Sequence, residues 1–245
     1  KHTQILRDLL FDEFQILIES SRDMKAQGVI TFETLWTVFE PGIMVYVHED
    51  GQDHVYNMRS GKYAHDQAGS SVYRLDLRYI DFDGTKFGWA ETRFDVQAFQ
   101  GTCSIASLDA YPIEYHADEA TLRTELINRG SEIETFVGTH YRAYDGIGHK
   151  INIHGRKERH SVNGRIVIDT VGWNYYNPDE AIYTLPLDNE DTAKTTRKSR
   201  GFVLPAFGDS FDEDYGGDGD FGEEADPRKL PPLTDEQKLL CTHLV

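Results

Sequence analysis

The stretch from Gly42 to Ser107 constrains the fold most, because it sets alternating apolar residues between Asp-Gly pairs. Tyr73, Leu75, Leu77 and Tyr79 alternate with Arg74, Asp76 and Arg78, the period of two that gives a strand one buried face. Asp50-Gly51 and Asp83-Gly84 each separate two apolar runs, and Asp-Gly tolerates the positive φ that tight hairpin turns demand. Antiparallel pairing follows. After Asp83-Gly84 the apolar phase is odd at Phe87 and Trp89 but even at Phe94, Val96 and Ala98, which predicts a β-bulge near Thr92-Arg93 and a sheet that curls there. The expected fold class is α+β: a curled antiparallel β-sheet or partly open barrel packed by a few helices.

Helices are expected on both sides of this block. Leu6, Leu9, Leu10, Phe14 and Leu17 keep helical spacing, with Arg7, Asp8, Asp12, Gln15 and Glu19 around the other side, so a helix should run to near Gly28. Thr31 reads as the N-cap of a short helix carrying Leu35, Trp36 and Phe39, stopped by Pro41-Gly42. Asp118 should cap a helix bearing Leu122, Leu126 and Ile127 and closed by Gly130. Ser131 and Glu134 have capping-box spacing, and Ile133, Phe136, Val137, His140, Tyr141 and Tyr144 keep helical phase, so a further helix is predicted there. Two strands follow, around Ile151 and Ile153 and around Ile166 to Val171, joined by a basic turn.

Charge divides the rest of the chain. The formal charge is −17, but the stretch Asp209 to Asp226 holds nine carboxylates and no Lys or Arg, leaving −8 on the other residues. Residues 188–229 lack periodicity and are rich in Asp, Gly and Glu, the composition of a disordered linker. Asp212, Asp214, Gly217 and Glu223 match a calcium loop only in part; Gly216 and Gly219 fall where a ligand and an apolar anchor belong, which favours the solvated linker. Thr234 to Gln237 then form a capping box that opens a helix with Leu239, Leu240 and Cys241. The organisation expected is an N-terminal helix over 1–28, a β-rich domain over 29–187, the linker over 188–229 and, over 230–245, a helix leading to a further part.

Two cysteines, Cys103 and Cys241, support neither a disulfide framework nor a cysteine zinc site. A reducing intracellular compartment, cytoplasm or nucleus, is expected. No run approaches the ~20 apolar residues of a membrane span, and Lys1 to Arg7 lacks the apolar core of a signal peptide. The acidic balance argues against nucleic acid, whose phosphates need a basic surface.

Several reaction motifs are missing from the sequence. No segment has the form G-x-x-x-x-G-K-[ST] that cradles nucleotide phosphates, and none has the G-x-S-x-G of a hydrolase elbow. No catalytic, cofactor or metal residue is assigned. His140, His149, His154 and His160 fit no metal-ligating spacing and are read as core and surface histidines. Asp81 and Asp83 are read as turn residues. One feature points to binding: Lys150, His154, Arg156, Lys157, Arg159 and Arg165, with His149 and His160, form a basic hairpin in an acidic chain. An anionic partner, or the acidic linker itself, could dock there.

Taken together, Trp36-x-x-Phe39-x-Pro41-Gly42, Asp81-Phe82-Asp83-Gly84-x-x-Phe87-Gly88 and Leu108-x-Ala110-Tyr111-Pro112-x-x-Tyr115-His116 are followed by three more motifs. These are Leu126-x-x-Arg129-Gly130, Gly138-x-His140-Tyr141-x-x-Tyr144-x-Gly146 and Asn163-Gly164-Arg165-Ile166-Val167-Ile168-Asp169. In this order, over about Thr31 to Val245, the chain resembles the N-terminal region of large, mostly fungal ATPases of the AAA class. The resemblance implies a non-catalytic domain that recruits protein clients or adaptors to a hexameric ATPase core of the same polypeptide. ATP and Mg²⁺ would belong to that core, and no catalytic residue carries over. Two other readings compete: an enzyme joining His116, His140 or His154 with Asp81 or Asp169 in a β-barrel cleft, and a module for an anionic partner at the 149–165 hairpin. Trp36, Phe87 and Tyr115 are expected in the core.

Overall fold

The computed structural model describes residues 2–151, 157–187 and 230–241. The linker expected over 188–229, together with His154 and Arg156 of the basic hairpin, lies outside them. The fold is α+β, built on open antiparallel sheets that do not close into a barrel.

The central sheet joins β2 (Met44–Glu49), β3 (Gln52–His65), β4 (Ser71–Phe82), β5 (Phe87–Gln97) and β7 (Ala110–Pro112) in the order β5-β4-β3-β2-β7. Asp50-Gly51 makes the two-residue turn between β2 and β3, with φ of 55° and 79°, the pair of positive values that matches strand twist. Asp83 shapes the β4–β5 turn, its Oδ1 accepting from the Thr85 and Lys86 amides at 2.9 Å each. Tyr73, Leu75 and Leu77 face the core as their alternation requires. On the outer face opposite charges sit directly across from one another: Arg74 donates to Asp95 at 2.7 and 2.8 Å, and Arg93 to Asp76 at 3.1 Å. Such cross-strand pairs hold register on a solvated face.

The bulge does not lie at Thr92-Arg93. β4 and β5 pair without a register shift from Val72–Gln97 to Phe82–Phe87, and the shift falls instead in β3, between Met58 and Ser60. The phase change in β5 has another cause, a strand covered on both sides. Trp89 exchanges two 2.8 Å backbone hydrogen bonds with Leu185 and lies under the Arg78 guanidinium, 4.0 Å from its ring centre, while Phe87 packs on Phe82.

A small ribbon of β1 (Val29–Thr31) and β6 (Thr102–Ser104) and a 3-10 turn over Phe32–Thr37 join the sheet to α1 (His2–Ala26). Leu35 and Phe39 are buried as expected, but Trp36 is 50% exposed, so it is not a core residue. Helix α2 (Glu119–Glu134) opens at Asp118, which accepts from the Thr121 amide at 3.2 Å. It does not stop at Gly130, where it passes against α4 (Asp235–Leu239). Thr234 and Gln237 close the capping box that opens α4. Leu233, Leu239, Leu240 and Cys241 are buried in the same core as the sheet, and Ile80 donates to the Leu240 carbonyl at 3.0 Å.

The helix expected through Tyr144 is a strand. β8 (His140–Ile151) pairs with β9 (Lys157–Ile168) from His140–Ile168 to Ile151–Lys157. The chain then enters α3 (Thr170–Tyr176), capped by Asp169 through the Gly172 amide at 2.8 Å, so Val171 is helical. Among the described residues no helix is long and apolar enough to cross a membrane.

Candidate functional site

Each strand of the β8–β9 ribbon is 12 residues long, which extends it about 40 Å. The pair is a sheet of its own. Alternation puts Tyr141, Ala143, Asp145, Ile147, Ser161, Asn163, Arg165 and Val167 on one face. Tyr141, Ile147 and Val167 there are 72%, 57% and 55% exposed. A two-stranded ribbon is marginal in water by itself, and this one bears apolar side chains without being covered. On the opposite face Tyr144 lies over Gly146 and donates to the Ile147 carbonyl at 3.0 Å. The arm is tied to the body by Arg159, which donates to Asp50 Oδ1 at 3.0 Å, and by Phe136, whose ring meets His140 and Arg142.

The basic residues read from the sequence are only partly a site. Lys150 and Lys157 stand opposite neighbours at the far end of the ribbon. Arg159 is engaged by Asp50, and Arg165 is exposed in the apolar face. The face of the ribbon that carries Arg165 mixes Tyr141, Ala143, Ile147 and Val167 with Asp145, Ser161 and Asn163. Residues 140–168 still carry six Lys or Arg against two Asp or Glu.

The acids and histidines of the enzyme reading stand in separate settings. His116 stacks beside Tyr111 and Tyr46. His140 lies 2.9 Å from the Val137 carbonyl, Asp169 caps α3, and Asp81 is buried, accepting from the Phe82 amide at 2.8 Å. Burial, the largest influence, pushes the Asp81 carboxyl up to about 6, with Asp83 adding to the effect. Among the described residues no three His, Cys, Asp or Glu side chains converge as metal ligands.

Two polar clusters escaped the sequence reading. At the β2–β3 turn Asp53 accepts from Tyr46 at 2.7 Å and lies 2.7 Å from His48 Nδ1. Burial alone would raise its carboxyl, but those two partners outweigh that and hold it low. The signal was present, because a two-residue turn at Asp50-Gly51 makes His48 and Asp53 cross-strand partners. The second cluster fixes the C-terminal segment: Glu134 accepts from the Leu233 amide at 2.6 Å and pairs with Lys238 at 3.2 Å. Arg129 donates to the Asp53 and Cys241 carbonyls at 2.8 and 3.4 Å. Burial pushes the Cys241 thiol up to about 12, with Asp81 next in effect. No local pattern announces contacts across 76 to 112 residues.

Residues 20–117 match a family described as a domain of unknown function, DUF7025, a span that takes in β1 to β7 and stops before α2 and the arm. No curated protein and no solved structure matches the chain. What the chain is similar to is thus a domain whose shared part is the sheet and whose role is not described.

Proposed function

We propose that this chain is a recognition unit that binds a protein client or adaptor through the β8–β9 arm, as the front part of a larger ATPase of the AAA class. The observation that carries the binding reading is the arm itself, a long ribbon presenting Tyr141, Ile147 and Val167 to solvent. Covering those side chains gives a partner apolar contact and gives the ribbon the packing that a two-stranded sheet needs. The placement before an ATPase rests on the ordered motifs from Trp36 to Asp169. ATP and Mg²⁺ would be held by the ATPase part, since no phosphate-binding loop occurs in these residues.

A second reading keeps the arm but makes the partner anionic, favoured by the excess of Lys and Arg over 140–168. Affinity capture separates the two. The intact chain and a Tyr141→Ser/Ile147→Ser/Val167→Ser variant, matched by near-UV circular dichroism, are compared at low and high salt. Client recognition predicts partners lost with the triple substitution and kept at about 0.5 M salt, where the Debye length falls to about 4 Å. Capture that survives the substitution would refute the arm, and capture lost to salt alone would transfer the reading to the anionic partner.

A further inference from the structure

The outer edge of β5 supplies an observation independent of the arm. β5 ends the central sheet on one side, and the backbone groups of an antiparallel strand point alternately to its two neighbours. Trp89 makes its two 2.8 Å hydrogen bonds outward, with Leu185, whereas the Ala98 amide donates inward to the Ser71 carbonyl at 3.1 Å. Because β4 and β5 pair without a register shift, the N–H and C=O groups of Glu91, Arg93, Asp95 and Gln97 also point outward. Among the described residues no backbone partner meets them. This open edge extends about 20 Å at ~3.4 Å per residue, a template for further strand pairing unless it is guarded.

The described chain that reaches β5 does not go on to cover this edge. Its one bridge is antiparallel, Leu185 to Trp89, so residues after Leu185 run toward Phe87 and away from Glu91. Residues before it are turned off the edge by Asn174, which accepts from the Ile182 amide at 2.9 Å and donates to the Ile182 carbonyl at 3.4 Å. What guards the open stretch is charge: Glu91, Arg93 and Asp95 alternate in sign on the outer face.

We infer that the open edge of β5 pairs antiparallel with the same edge of a second copy, about a two-fold axis at Phe94. This register sets Arg93 opposite Asp95 of the second copy, and Asp95 opposite its Arg93, while Glu91 meets Gln97. The row across the joined sheets then runs Arg74, Asp95, Arg93 of the second copy and Asp76 of the second copy, alternating in sign and extending ion pairs each copy already holds. The like-charged contacts, Arg93 with Arg93 and Asp95 with Asp95, fall on diagonals at ~7–8 Å rather than opposite at ~5 Å. An axis at position 93 would set Arg93 on Arg93 and Glu91 on Asp95, and an axis at 95 would set Asp95 on itself. An axis at 92 needs the Trp89 groups that Leu185 occupies. On the inner face Phe94, partly buried against the core, meets its own counterpart in a non-hydrogen-bonded pair, where side chains come closest. The contact closes because both copies use the same edge.

One strand a side is small beside the ~20–30 residues of a standard interface, so the association is weak. Sedimentation equilibrium and amide exchange by NMR on the full chain, reduced and from about 10 µM to 1 mM, cover the range such a contact implies. The expected result is a dimer in which the amides of Glu91, Arg93, Asp95 and Gln97 exchange at least about tenfold more slowly at the highest concentration, with those of Thr92, Phe94 and Val96 slow throughout. Arg93→Pro removes an outward N–H that β4 does not use, so it should leave the monomer folded by near-UV circular dichroism and abolish the dimer. Under air oxidation, with the parent chain as blank, Phe94→Cys should give a disulfide-linked dimer and Thr92→Cys should not. A monomer at every concentration overturns the inference, as does a dimer that survives Arg93→Pro or cross-links through position 92 instead of 94. A dimer whose four outward amides keep their dilute rate overturns it too, without touching the reading of the arm.

Discussion

Replacing Gly130 by alanine sets two effects of opposite sign against each other. Gly130 lies inside α2, and glycine in a helix interior costs about 1 kcal/mol relative to alanine, so in an isolated helix the change would stabilise. Here a Cβ at that position would overlap the Lys238 carbonyl oxygen and stand 2.7 Å from the Lys238 Cα. The obstructing atoms are backbone, so relief requires α4 to shift. Overpacking of that kind costs about 1–3 kcal/mol. Ejecting α4 would expose Leu239 and Leu240, each about 1.5–3 kcal/mol of burial. The expected net effect of Gly130→Ala is a loss of up to about 2 kcal/mol, or a Tm lower by up to about 8 °C for a chain of this size. Urea and thermal unfolding give the stability. Thiol labelling followed residue by residue gives the cause, because Cys241 is 1% exposed whereas Cys103 is half-buried and serves as internal reference. A variant that is more stable than the parent, with Cys241 still protected, would refute close packing of α2 on α4.

Three further outcomes are expected. The Asp81 carboxyl titrates near 6 in the fold against 3.8 unperturbed, so its ionisation opposes folding: the destabilisation is full above about pH 6 and is relieved as pH falls toward 4, worth about 3 kcal/mol in all. Asp81→Asn should abolish that rise in stability between pH 7 and 4.5 in urea titrations, whereas Asp53, Asp76, Asp83 and Asp95, all held low, act only at lower pH. Leu240→Ala, at a position 2% exposed, should cost about 2–5 kcal/mol in the same assay. Asp50→Asn keeps a residue that tolerates φ of 55° but replaces the carboxylate that pairs with Arg159 by a neutral amide; global stability should change by less than about 1 kcal/mol, while deuterium exchange of the β9 amides accelerates.

What could be read from the chain was what neighbours in sequence decide. Asp50-Gly51, Asp83-Gly84, the cap at Asp118 and the capping box at Thr234 all formed as expected, because each is settled within a few residues. Gly130 misled because its reason is Lys238, far along the chain and invisible to local pattern. The start of β8, to Tyr144, was read as helix because a ribbon exposed on both faces carries no two-residue alternation of polarity. The rings at 136, just before the strand, and at 140, 141 and 144 within it happen to share helical spacing. The phase change in β5 came from cover on both faces rather than a bulge. Within the candidate site, the sequence singled out the same hairpin through its charge. It missed the apolar face, because Tyr141, Ile147 and Val167 become one surface only when β8 and β9 pair.

The most direct test of recognition through the arm is hydrogen–deuterium exchange of the amides from His140 to Ile168, with and without the captured partner. Their exchange should be fast in the free chain, since the outer edges of both strands are unpaired in their own sheet, and should slow at least about tenfold when the partner covers the ribbon, an opening penalty of ~1.4 kcal/mol or more. Protection confined to other elements, with the arm exchanging at its free rate in the complex, would contradict it.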